Sequence, residues 1–314
     1  MLCEVFMKLR YLLLFSLLLL LAGCKKQEAP KIVFSGDSVT STSKNVTIDG
    51  TTVTITGAGT YDISGSTEEG QIIVNVTNGK AVYLNLTGLE LRCSADAPIR
   101  IVESSMTVIS LTANTQNIST DDHPYSELLG SQESGTDSVF ESAPDAAIYS
   151  KSPLLIRGAD TGKLVINGNS YNGISSSDTL TVEGGNLTIN AEHHAIKGRD
   201  YVVISGGVLN LKCGRDGVKA TNAEDAALGY VNITGGTLNI NADDDGIYAP
   251  RSITVSGGNL VIKAHNIGLK TEGALELRAG VIDINTNDDV IVCKTKTVAG
   301  KVILTVNGKA YKEE

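Results

Sequence analysis

Residues 246–266 read GIYAPRSITVSGGNLVIKAHN, and this short stretch decides the fold. Apolar and polar side chains alternate in Ile253–Val255, and inward apolar residues continue in Leu260–Ile262 after the pair Gly257-Gly258. Alternation with a period of two indicates β-strands with one buried face, and paired glycines indicate a turn. With a third short segment at Ile247, the stretch predicts three short strands separated by turns.

The same unit returns along the chain with a period of 22 residues. One landmark is a glycine pair, which begins at residues 184, 206, 235, 257 and, as Ala-Gly, 279. A second landmark is a small residue followed by an aliphatic one, and it begins at residues 173, 195, 217, 246, 268 and, as Val-Ile, 290. Both series contain one step of 29 residues, which places an insertion near residues 222–228. Two landmarks that share one period and one insertion indicate an internal repeat.

A solenoid explains this repeat better than a stack of hairpins. Hairpins need a tight reversal after every strand, whereas here the same inward residue returns once per repeat. Stacked repeats pair their backbones about 4.8 Å apart, so residues at one place in successive repeats form a column. We predict an all-β fold, a single-stranded parallel β-helix of 22 residues per coil with three short strands in each coil.

The first half of the chain has the same texture with less regular spacing. The strand candidates there are Val46–Ile48, Val53–Ile55, Ile72–Val76, Val82–Leu86, Ile99–Ile101 and Val108–Leu111. Residues 119–143 interrupt the pattern with Ser, Asp, Glu, Gly and Pro, and they predict a long exposed loop. We expect residues 32–314 to form one domain.

The charge balance excludes one class of partner. Lys and Arg number 26 against 35 Asp and Glu, which gives a net charge of −9. An acidic chain repels a phosphate backbone, so we predict no nucleic-acid partner, and we expect a monomer. Cys93, Cys213 and Cys293 lack the spacing of a metal site and are interpreted as small buried residues, with one disulfide as the alternative.

The N-terminus resembles a bacterial export signal. Residues 11–23, YLLLFSLLLLLAG, form an apolar run that is too short to span a bilayer. The box Leu21-Ala22-Gly23-Cys24 is similar to a lipoprotein processing site, which implies cleavage before Cys24 and lipidation of its thiol. We therefore expect a signal peptide at 1–23, a polar tether at 24–31 and a lipid anchor in a membrane of the bacterial cell envelope. An ordinary signal peptide with an incidental cysteine is the alternative.

Acidic and amide residues collect in the turn before the second landmark. Neighbouring repeats bring these turns within about one strand spacing of each other. Oxygen-rich clusters suit Ca²⁺, which takes about 6–8 oxygen ligands. A single Asp-Gly pair is ordinary turn chemistry, whereas an Asp triplet exceeds what a turn needs, and both interpretations stay open. The candidate calcium ligands are Asp216, Asp243, Asp244, Asp245, Asn266, Asn287, Asp288 and Asp289.

The residue that follows the aliphatic member of the second landmark points outward in every repeat. These residues form a ridge composed of Tyr149, Ser175, Lys197, Lys219, Tyr248, Lys270 and Val292. Tyrosine can stack on a sugar, and lysine can pair with a carboxylate or hydroxyl. The candidate ligand-binding residues are therefore Tyr149, Lys197, Lys219, Tyr248 and Lys270. Alternatively, the lysines only solvate this face and balance the Asp column.

The repeat resembles one bacterial family when it is taken with residues 146–168 (AAIYSKSPLLIRGADTGKLVING) and 52–76 (TVTITGAGTYDISGSTEEGQIIVNV). It is similar to the carbohydrate-binding β-helix proteins of clostridial type, which are described as binding cellulose and polygalacturonate. The resemblance implies a right-handed parallel β-helix like that of pectate lyases, with bound calcium. The sequence departs from the Asp-Gly motif at His194-Ala195 and Ile267-Gly268.

Two functions fit these features, besides a structural solenoid with no sugar ligand. The first is a surface-anchored, non-catalytic protein that binds a plant-type polysaccharide, polygalacturonate or cellulose, with calcium. Since the net charge repels polyuronate, a divalent cation or the lysine ridge must reverse the local charge, and the absence of Trp disfavours a flat cellulose platform. The alternative is a calcium-dependent pectate lyase acting by β-elimination, with Lys197, Lys219, Lys270 or Arg215 as the base. No single lysine stands out, so binding without catalysis is the favoured prediction.

Overall fold

A computed structural model of the protein describes residues 28–124 and 144–311. In these two ranges the chain is all-β, and its strands are mostly parallel and lie in two long sheets, which is consistent with a solenoid. The strands before residue 125 are β1 (Lys31–Ser35), β2 (Ser38–Ser41), β3 (Val46–Asp49), β4 (Thr52–Ile55), β5 (Gly59–Thr67), β6 (Gln71–Asn75), β7 (Val82–Cys93), β8 (Ile99–Glu103), β9 (Thr107–Leu111) and β10 (Gln116–Asp121).

The strands after residue 143 follow the repeat. They are β11 (Ala146–Ser150), β12 (Leu154–Gly158), β13 (Lys163–Gly168), β14 (Asn172–Ser176), β15 (Thr179–Val182), β16 (Asn186–Ala191), β17 (Ile196–Gly198), β18 (Tyr201–Ile204), β19 (Val208–Cys213), β20 (Val218–Ala220), β21 (Tyr230–Ile233), β22 (Thr237–Ala242), β23 (Ile247–Ala249), β24 (Ser252–Val255), β25 (Asn259–Ala264), β26 (Leu269–Thr271), β27 (Ala274–Leu277), β28 (Gly280–Thr286), β29 (Ile291–Val292), β30 (Thr295–Val298), β31 (Val302–Val306) and β32 (Lys309–Ala310).

Each repeat contributes one strand to each of three parallel stacks. The first stack runs from β12 through β15 and onward to β30, the second from β13 through β16 to β31, and the third from β11 through β14 to β29. The third stack belongs to the smaller sheet, whereas the first and second lie in the larger one. The first and second stacks are joined through the long strand β7. Its first half pairs with β9, and its second half pairs with β10.

The strand register confirms the pairing that the repeat predicts at the second landmark. In the third stack Ile174 pairs with Ile196, and Ile196 pairs with Val218. The register is kept across the insertion, because Val218 pairs with Ile247. The seven extra residues lie between β20 and β21, where the Asn222 carbonyl oxygen of the side chain accepts two backbone N–H groups of the loop. The insertion therefore leaves the stacks undisturbed.

The core consists of aliphatic columns on the inner faces of the stacks. In the second stack, successive repeats bury Leu187, Leu209, Leu238, Leu260 and Ile282 completely. Burying each such side chain stabilises the fold by about 1.5–3 kcal/mol. The alternating pattern seen in the sequence is thus the pattern of burial, with every second side chain inside.

The second glycine of each pair marks a corner where a side chain would be strained. Gly236, the second member of its pair, has a φ of +90°, and a Cβ built there would lie 3.0 Å from the carbonyl oxygen of Gly207 in the preceding repeat. Gly258 repeats this geometry, with a φ of +96° and the same 3.0 Å approach to Gly236. Glycine tolerates positive φ without steric cost, so its repetition follows from the corner.

The first half of the chain contains a strand at every candidate segment that the sequence proposes. Antiparallel pairs occur at the two ends of the described chain, in β1–β2, β3–β4 and β31–β32. The predicted loop 119–143 begins too early, because β10 runs to Asp121 and buries Ser119 and Asp121. The Ser119 hydroxyl donates to the carbonyl oxygen of Ala147, and Asp121 Oδ1 accepts the backbone N–H of His123. Because polar residues alternate into the interior here, a hydrophobic pattern misses this strand. Residues 125–143 lie outside the described ranges.

The remaining predictions concern the cysteines and the N-terminus. Cys93, Cys213 and Cys293 are free thiols, and the first two are buried, as interpreted from the sequence. Across residues 28–124 and 144–311 there is no helix long and apolar enough to cross a membrane. The expected signal peptide at 1–23 and the lipidation site Cys24 lie outside those ranges.

Candidate functional site

The turn before the third stack carries a ladder of polar side chains, one from each of four repeats. This polar ladder consists of Asn172, His194, Asp216 and Asp245, and each side chain accepts the backbone N–H of the equivalent residue in the next repeat. The Asn172 oxygen accepts from His194 at 3.0 Å, and His194 Nδ1 accepts from Asp216 at 3.1 Å. Asp216 Oδ1 accepts from Asp245 at 3.2 Å, and Asp245 Oδ1 accepts from Ile267 at 3.1 Å. The polar ladder ends there, because Ile267 has no side-chain acceptor.

All four members of the polar ladder are buried. A buried polar group is costly unless it is hydrogen-bonded, and the ladder meets this requirement with one atom of each side chain. In Asp216 and Asp245 this atom is Oδ1, so one carboxylate oxygen has the turn-forming role that the sequence allowed. The second oxygen, Oδ2, remains for contacts with the ridge.

The ridge forms with the predicted register along the third stack. Its residues pair strand by strand in the order Tyr149, Ser175, Lys197, Lys219, Tyr248, Lys270 and Val292. Lys219 and Lys270 therefore lie on the two strands that flank Tyr248.

Tyr149 differs from its prediction, because only 1% of its surface is exposed. It packs in a small cluster with Ala97 and Ala146, and its hydroxyl lies 3.3 Å from the Ser177 hydroxyl. Alternation places Tyr149 on the outer side of the strand, but that side is covered here. Tyr149 is therefore inaccessible to a ligand, unlike the ridge lysines.

The ridge lysines pair with buried carboxylates. Lys270 Nζ lies 2.8 Å from Asp245 Oδ2, and Lys219 Nζ lies 3.4 Å from Asp216 Oδ2. Lys197 Nζ lies 3.2 Å from Oδ2 of Asp145. The lysines thus balance the Asp column, as the alternative interpretation proposed. Asp145 was missed in the sequence, because it lies one residue before the strand and next to the segment assigned to a loop.

Tyr248 stands between two ammonium groups. Lys219 Nζ lies 5.5 Å and Lys270 Nζ 5.6 Å from the centre of its ring, within the range of cation–π attraction. The Tyr248 hydroxyl donates to Glu272 at 3.0 Å. Burial raises the pKa of Tyr248, and the nearby Glu272 raises it further, so the phenol stays neutral. The Tyr248 ring therefore contacts both ridge lysines.

Three of the predicted calcium ligands form one acidic cluster. Asp216, Asp244 and Asp245 each place a carboxylate oxygen within 4.8 Å of the others. Burial raises the pKa of Asp216 to about 6; the Lys219 charge lowers it, and the charges of Asp244 and Asp245 raise it. Asp216 therefore retains its proton more readily than an isolated carboxyl group does. Asn266 adjoins this acidic cluster by donating its side-chain N–H to Asp244 Oδ1 at 2.5 Å.

The other predicted ligands lie elsewhere. Asp243 is exposed on the outer side of its turn, away from the acidic cluster. Asn287, Asp288 and Asp289 are also exposed, and the Asn287 side chain contacts His265 at 3.4 Å. The cause lies one repeat earlier, where Ile267 interrupts the polar ladder and leaves the next turn without a buried acceptor.

The acidic cluster has the donor set of a calcium site. Its donors are carboxylate oxygens, which Ca²⁺ prefers. The ion takes about 6–8 ligands, which is more than three carboxylates supply. Coordination positions would therefore remain for water or for an oxygen of a ligand. A cation at this place would share Oδ2 of Asp216 and Asp245 with Lys219 and Lys270.

The four residues proposed as a lyase base have different surroundings. Arg215 is exposed and pairs with Asp244 at 3.6 Å, and Lys197 pairs with Asp145. Burial lowers the pKa of Lys270, but the hydrogen bond and charge of Asp245 outweigh burial and raise it above its usual value. Lys219 alone also contacts the polar ladder histidine, with its Nζ 3.3 Å from His194 Nε2. Burial holds the pKa of His194 well below its usual value, so this imidazole is neutral.

The acidic cluster borders one shallow depression of about 330 Å³ on the outside of the third stack. Its lining combines the acidic cluster with Lys219, Lys270, Tyr248, Thr221 and Glu272. Thr221 and Glu272 carry no signal in the sequence, because they lie just beyond the strands that define the repeat. The depression extends across neighbouring strands of the third stack, from Lys219 on β20 past Tyr248 on β23 to Lys270 on β26.

Comparisons with known proteins agree with this chemistry. A family model described as carbohydrate-binding domain-containing protein matches residues 49–311. A protein of the same description from Acetivibrio thermocellus is 34% identical over 253 residues, which cover 80% of this chain and 85% of that protein. A solved structure, described as the polysaccharide lyase-like protein from C. thermocellum in a gadolinium derivative, is similar with a TM-score of 0.69 and 30% identity, over 88% of this chain and all of that one. The chain therefore belongs to the family of carbohydrate-binding domain-containing proteins.

Proposed function

We propose that this protein binds an acidic polysaccharide of the polygalacturonate type, without cleaving it, in the depression on the third stack. The observation that carries the proposal is the juxtaposition of three carboxylates with Lys219 and Lys270 in one open depression. An alternation of fixed positive and negative groups suits a ligand that carries both carboxylates and hydroxyls. The ridge lysines lie one strand apart or two strands apart, so they can meet successive groups of a polymer.

The fold that supports this function is a single-stranded, right-handed parallel β-helix with one 22-residue repeat per coil. Its support is the three-stack arrangement, in which residues 22 apart pair in each stack. The similarity to a polysaccharide lyase-like structure adds to that support. Such a coil exposes one long face, along which a polysaccharide can lie.

Calcium completes the proposed site at the acidic cluster. Asp216, Asp244 and Asp245 would hold the ion, with Asn266 at its side. When bound, the cation supplies positive charge that attracts a sugar carboxylate toward a protein of net charge −9. The protein's own contribution is to keep the carboxylates in place through the polar ladder, whose backbone hydrogen bonds orient Asp216 and Asp245.

A calcium-dependent lyase is the second candidate, and the position of Lys219 favours it. In β-elimination a base removes the proton beside the sugar carboxylate, a carbon–carbon double bond forms, and the glycosidic oxygen leaves and takes up a proton. Lys219 contacts both a neutral imidazole and a carboxylate, which are groups that can tune a base. Absorbance of an unsaturated uronide product would support this candidate. If none appears with polygalacturonate and calcium, binding without catalysis stands.

On this proposal, a lipid on Cys24 holds the protein at the bacterial cell envelope, where the protein acts as a monomer. The support is the apolar run at 11–23 and the box that ends in Cys24. Incorporation of a labelled fatty acid into the full chain, and its loss in Cys24→Ser, would test the anchor. Equal labelling of the variant would exclude lipidation at this residue.

Affinity electrophoresis tests the binding proposal. The full chain in mild detergent should be retarded in gels that contain polygalacturonate, and a chelator should weaken the retardation. Lys270→Gln should weaken it as well, because the variant removes a positive charge from the depression. Lys263→Gln is the matched control, since it removes the same charge from an exposed position on the second stack. Equal migration with and without polygalacturonate would overturn the proposal.

A further inference from the structure

A second groove, of about 1190 Å³, lies on the outside of the first stack near the start of the described chain. A polar row of four residues, Asp62, Asn85, Ser110 and Arg157, occupies the same place on four adjacent strands, and Asp62, Asn85 and Arg157 line the groove. Asp62 pairs with Asn85, Asn85 with Ser110, and Ser110 with Arg157. Three strand spacings separate the two ends of this polar row, which is about 14 Å.

Hydrogen bonds fix both ends of the polar row. The Asn85 side chain donates to Asp62 Oδ1 at 2.8 Å, and Arg157 Nε donates to the Ser110 hydroxyl at 3.3 Å. Arg157 is exposed and forms no ion pair with any residue that the structure describes. The row therefore ends in a carboxylate on one side and in a guanidinium with unused donors on the other.

An aromatic ring borders the polar row. Tyr83 lies two residues before Asn85 on β7, so both side chains emerge on the same outer face. Tyr83 is half-buried and lines the groove, and the Arg157 guanidinium lies 6.0 Å from the centre of its ring. A ring beside planar polar side chains can pack on the apolar face of a sugar while those side chains bond its hydroxyls.

We propose that this groove is a second glycan site, which takes a short segment of neutral sugars with one ring against Tyr83 and hydroxyls on Asn85 and Arg157. The inference rests on the proposed carbohydrate-binding function. Neutral sugars are favoured because the charges of Asp62 and Arg157 cancel along the polar row. The groove also lacks the paired lysines that flank Tyr248 in the depression on the third stack. Its length matches a few sugar units rather than a single one.

Titration calorimetry on the full chain in mild detergent tests this site with cellotetraose as the neutral probe and a galacturonate tetramer as the acidic one. Tyr83→Ala and Arg157→Gln should each weaken cellotetraose binding at least about tenfold, the range expected for losing a packed ring or a charged hydrogen bond. Tyr83→Phe keeps the ring and should bind within about twofold. Arg278→Gln is the matched control, because Arg278 is an exposed arginine beside another strand of the first stack. Thermal melting verifies that each variant folds.

Three results would overturn the second site. These are no cellotetraose binding by the folded protein, equal binding by Tyr83→Ala and by the unchanged chain, and a loss in these variants confined to the galacturonate tetramer. Failure here is distinguishable from failure of the proposed function. Galacturonate binding that is sensitive to chelator and to Lys270→Gln reports on the third stack alone.

Discussion

The turns at 243–245 and 287–289 read Asp-Asp-Asp and Asn-Asp-Asp, yet of these two only the first contributes to the acidic cluster. The two turns occupy the same place in the repeat, before Gly246-Ile247 and before Val290-Ile291. They differ in what precedes them. Asp216 accepts the backbone N–H of Asp245, whereas Ile267 offers no acceptor to Asp289. The sequence of an acidic turn is therefore not enough to form a site. The neighbouring repeat must also supply a side-chain acceptor for the backbone of that turn.

Removing Asp245, the buried carboxylate of the turn at 243–245, should have the largest effect on stability. Asp245→Ala leaves the Ile267 N–H without its acceptor and Lys270 without its partner. We expect a loss of about 2–4 kcal/mol in the free energy of unfolding, reduced from the value of a fully buried pair because Lys270 is partly exposed. Asp288→Ala in the exposed turn should cost less than about 0.5 kcal/mol. Thermal and urea unfolding of both variants measure the difference, and equal losses would contradict the role of the polar ladder.

The pH dependence of stability should also separate Asp216, whose side chain supports the turn at 243–245, from the exposed turn at 287–289. The folded-state pKa of Asp216 is raised from 3.8 to about 6. A raised pKa means that the folded state holds the proton more tightly, so Asp216 contributes stability below its unfolded-state pKa. This contribution is lost as the pH rises through about 6. The difference in melting temperature between the unchanged chain and Asp216→Asn should therefore vary between pH 4 and pH 6, in roughly this window.

The control for this pH dependence is Asp288→Asn, which alters an exposed carboxylate in the second turn. A change with pH in this control as large as that of Asp216→Asn would show that the effect does not depend on the burial of Asp216. A flat profile for Asp216→Asn would contradict the raised pKa of Asp216.

A smaller effect is expected at the glycine corner. Gly236→Ala places a side chain at a φ of +90° and 3.0 Å from a carbonyl oxygen, which should cost about 1–2 kcal/mol. Gly300, near the C-terminal end, has open space where its Cβ would lie and no positive φ. Gly300→Ala should therefore change the melting temperature little, and a large loss there would show that the glycines serve another purpose.

The smallest effect concerns binding. Lys270→Gln should weaken galacturonate binding by about three- to tenfold, since one charged contact at a partly exposed position is lost. Lys263→Gln should leave the affinity unchanged. Equal weakening by both variants would assign the attraction to overall charge instead of to the third stack.

Much of the fold could be predicted from the sequence because each repeat pairs with its neighbours. The landmark aliphatic residues set the register of the third stack, so Lys219, Tyr248 and Lys270 were correctly placed side by side. The gathering of Asp216 with Asp244 and Asp245 follows from the same register.

Other features depend on contacts that a repeat pattern does not encode. Tyr149 is buried because Ala97 and Ala146 pack against it. The lysine partner Asp145 lies beside a segment without the repeat, and one aliphatic residue, Ile267, ends the polar ladder. The groove beside Tyr83 lies in the irregular first half, where spacing gives little guidance.

Binding of a galacturonate tetramer by Asp244→Asn, with and without chelator, tests the central claim most directly. Asp244 belongs to the acidic cluster but not to the polar ladder, so the variant should fold normally. The account predicts that the variant and the chelator each weaken binding at least about tenfold, and that the two together weaken it no further, because both act on one calcium site. Unchanged binding by Asp244→Asn in the presence of calcium would contradict the account.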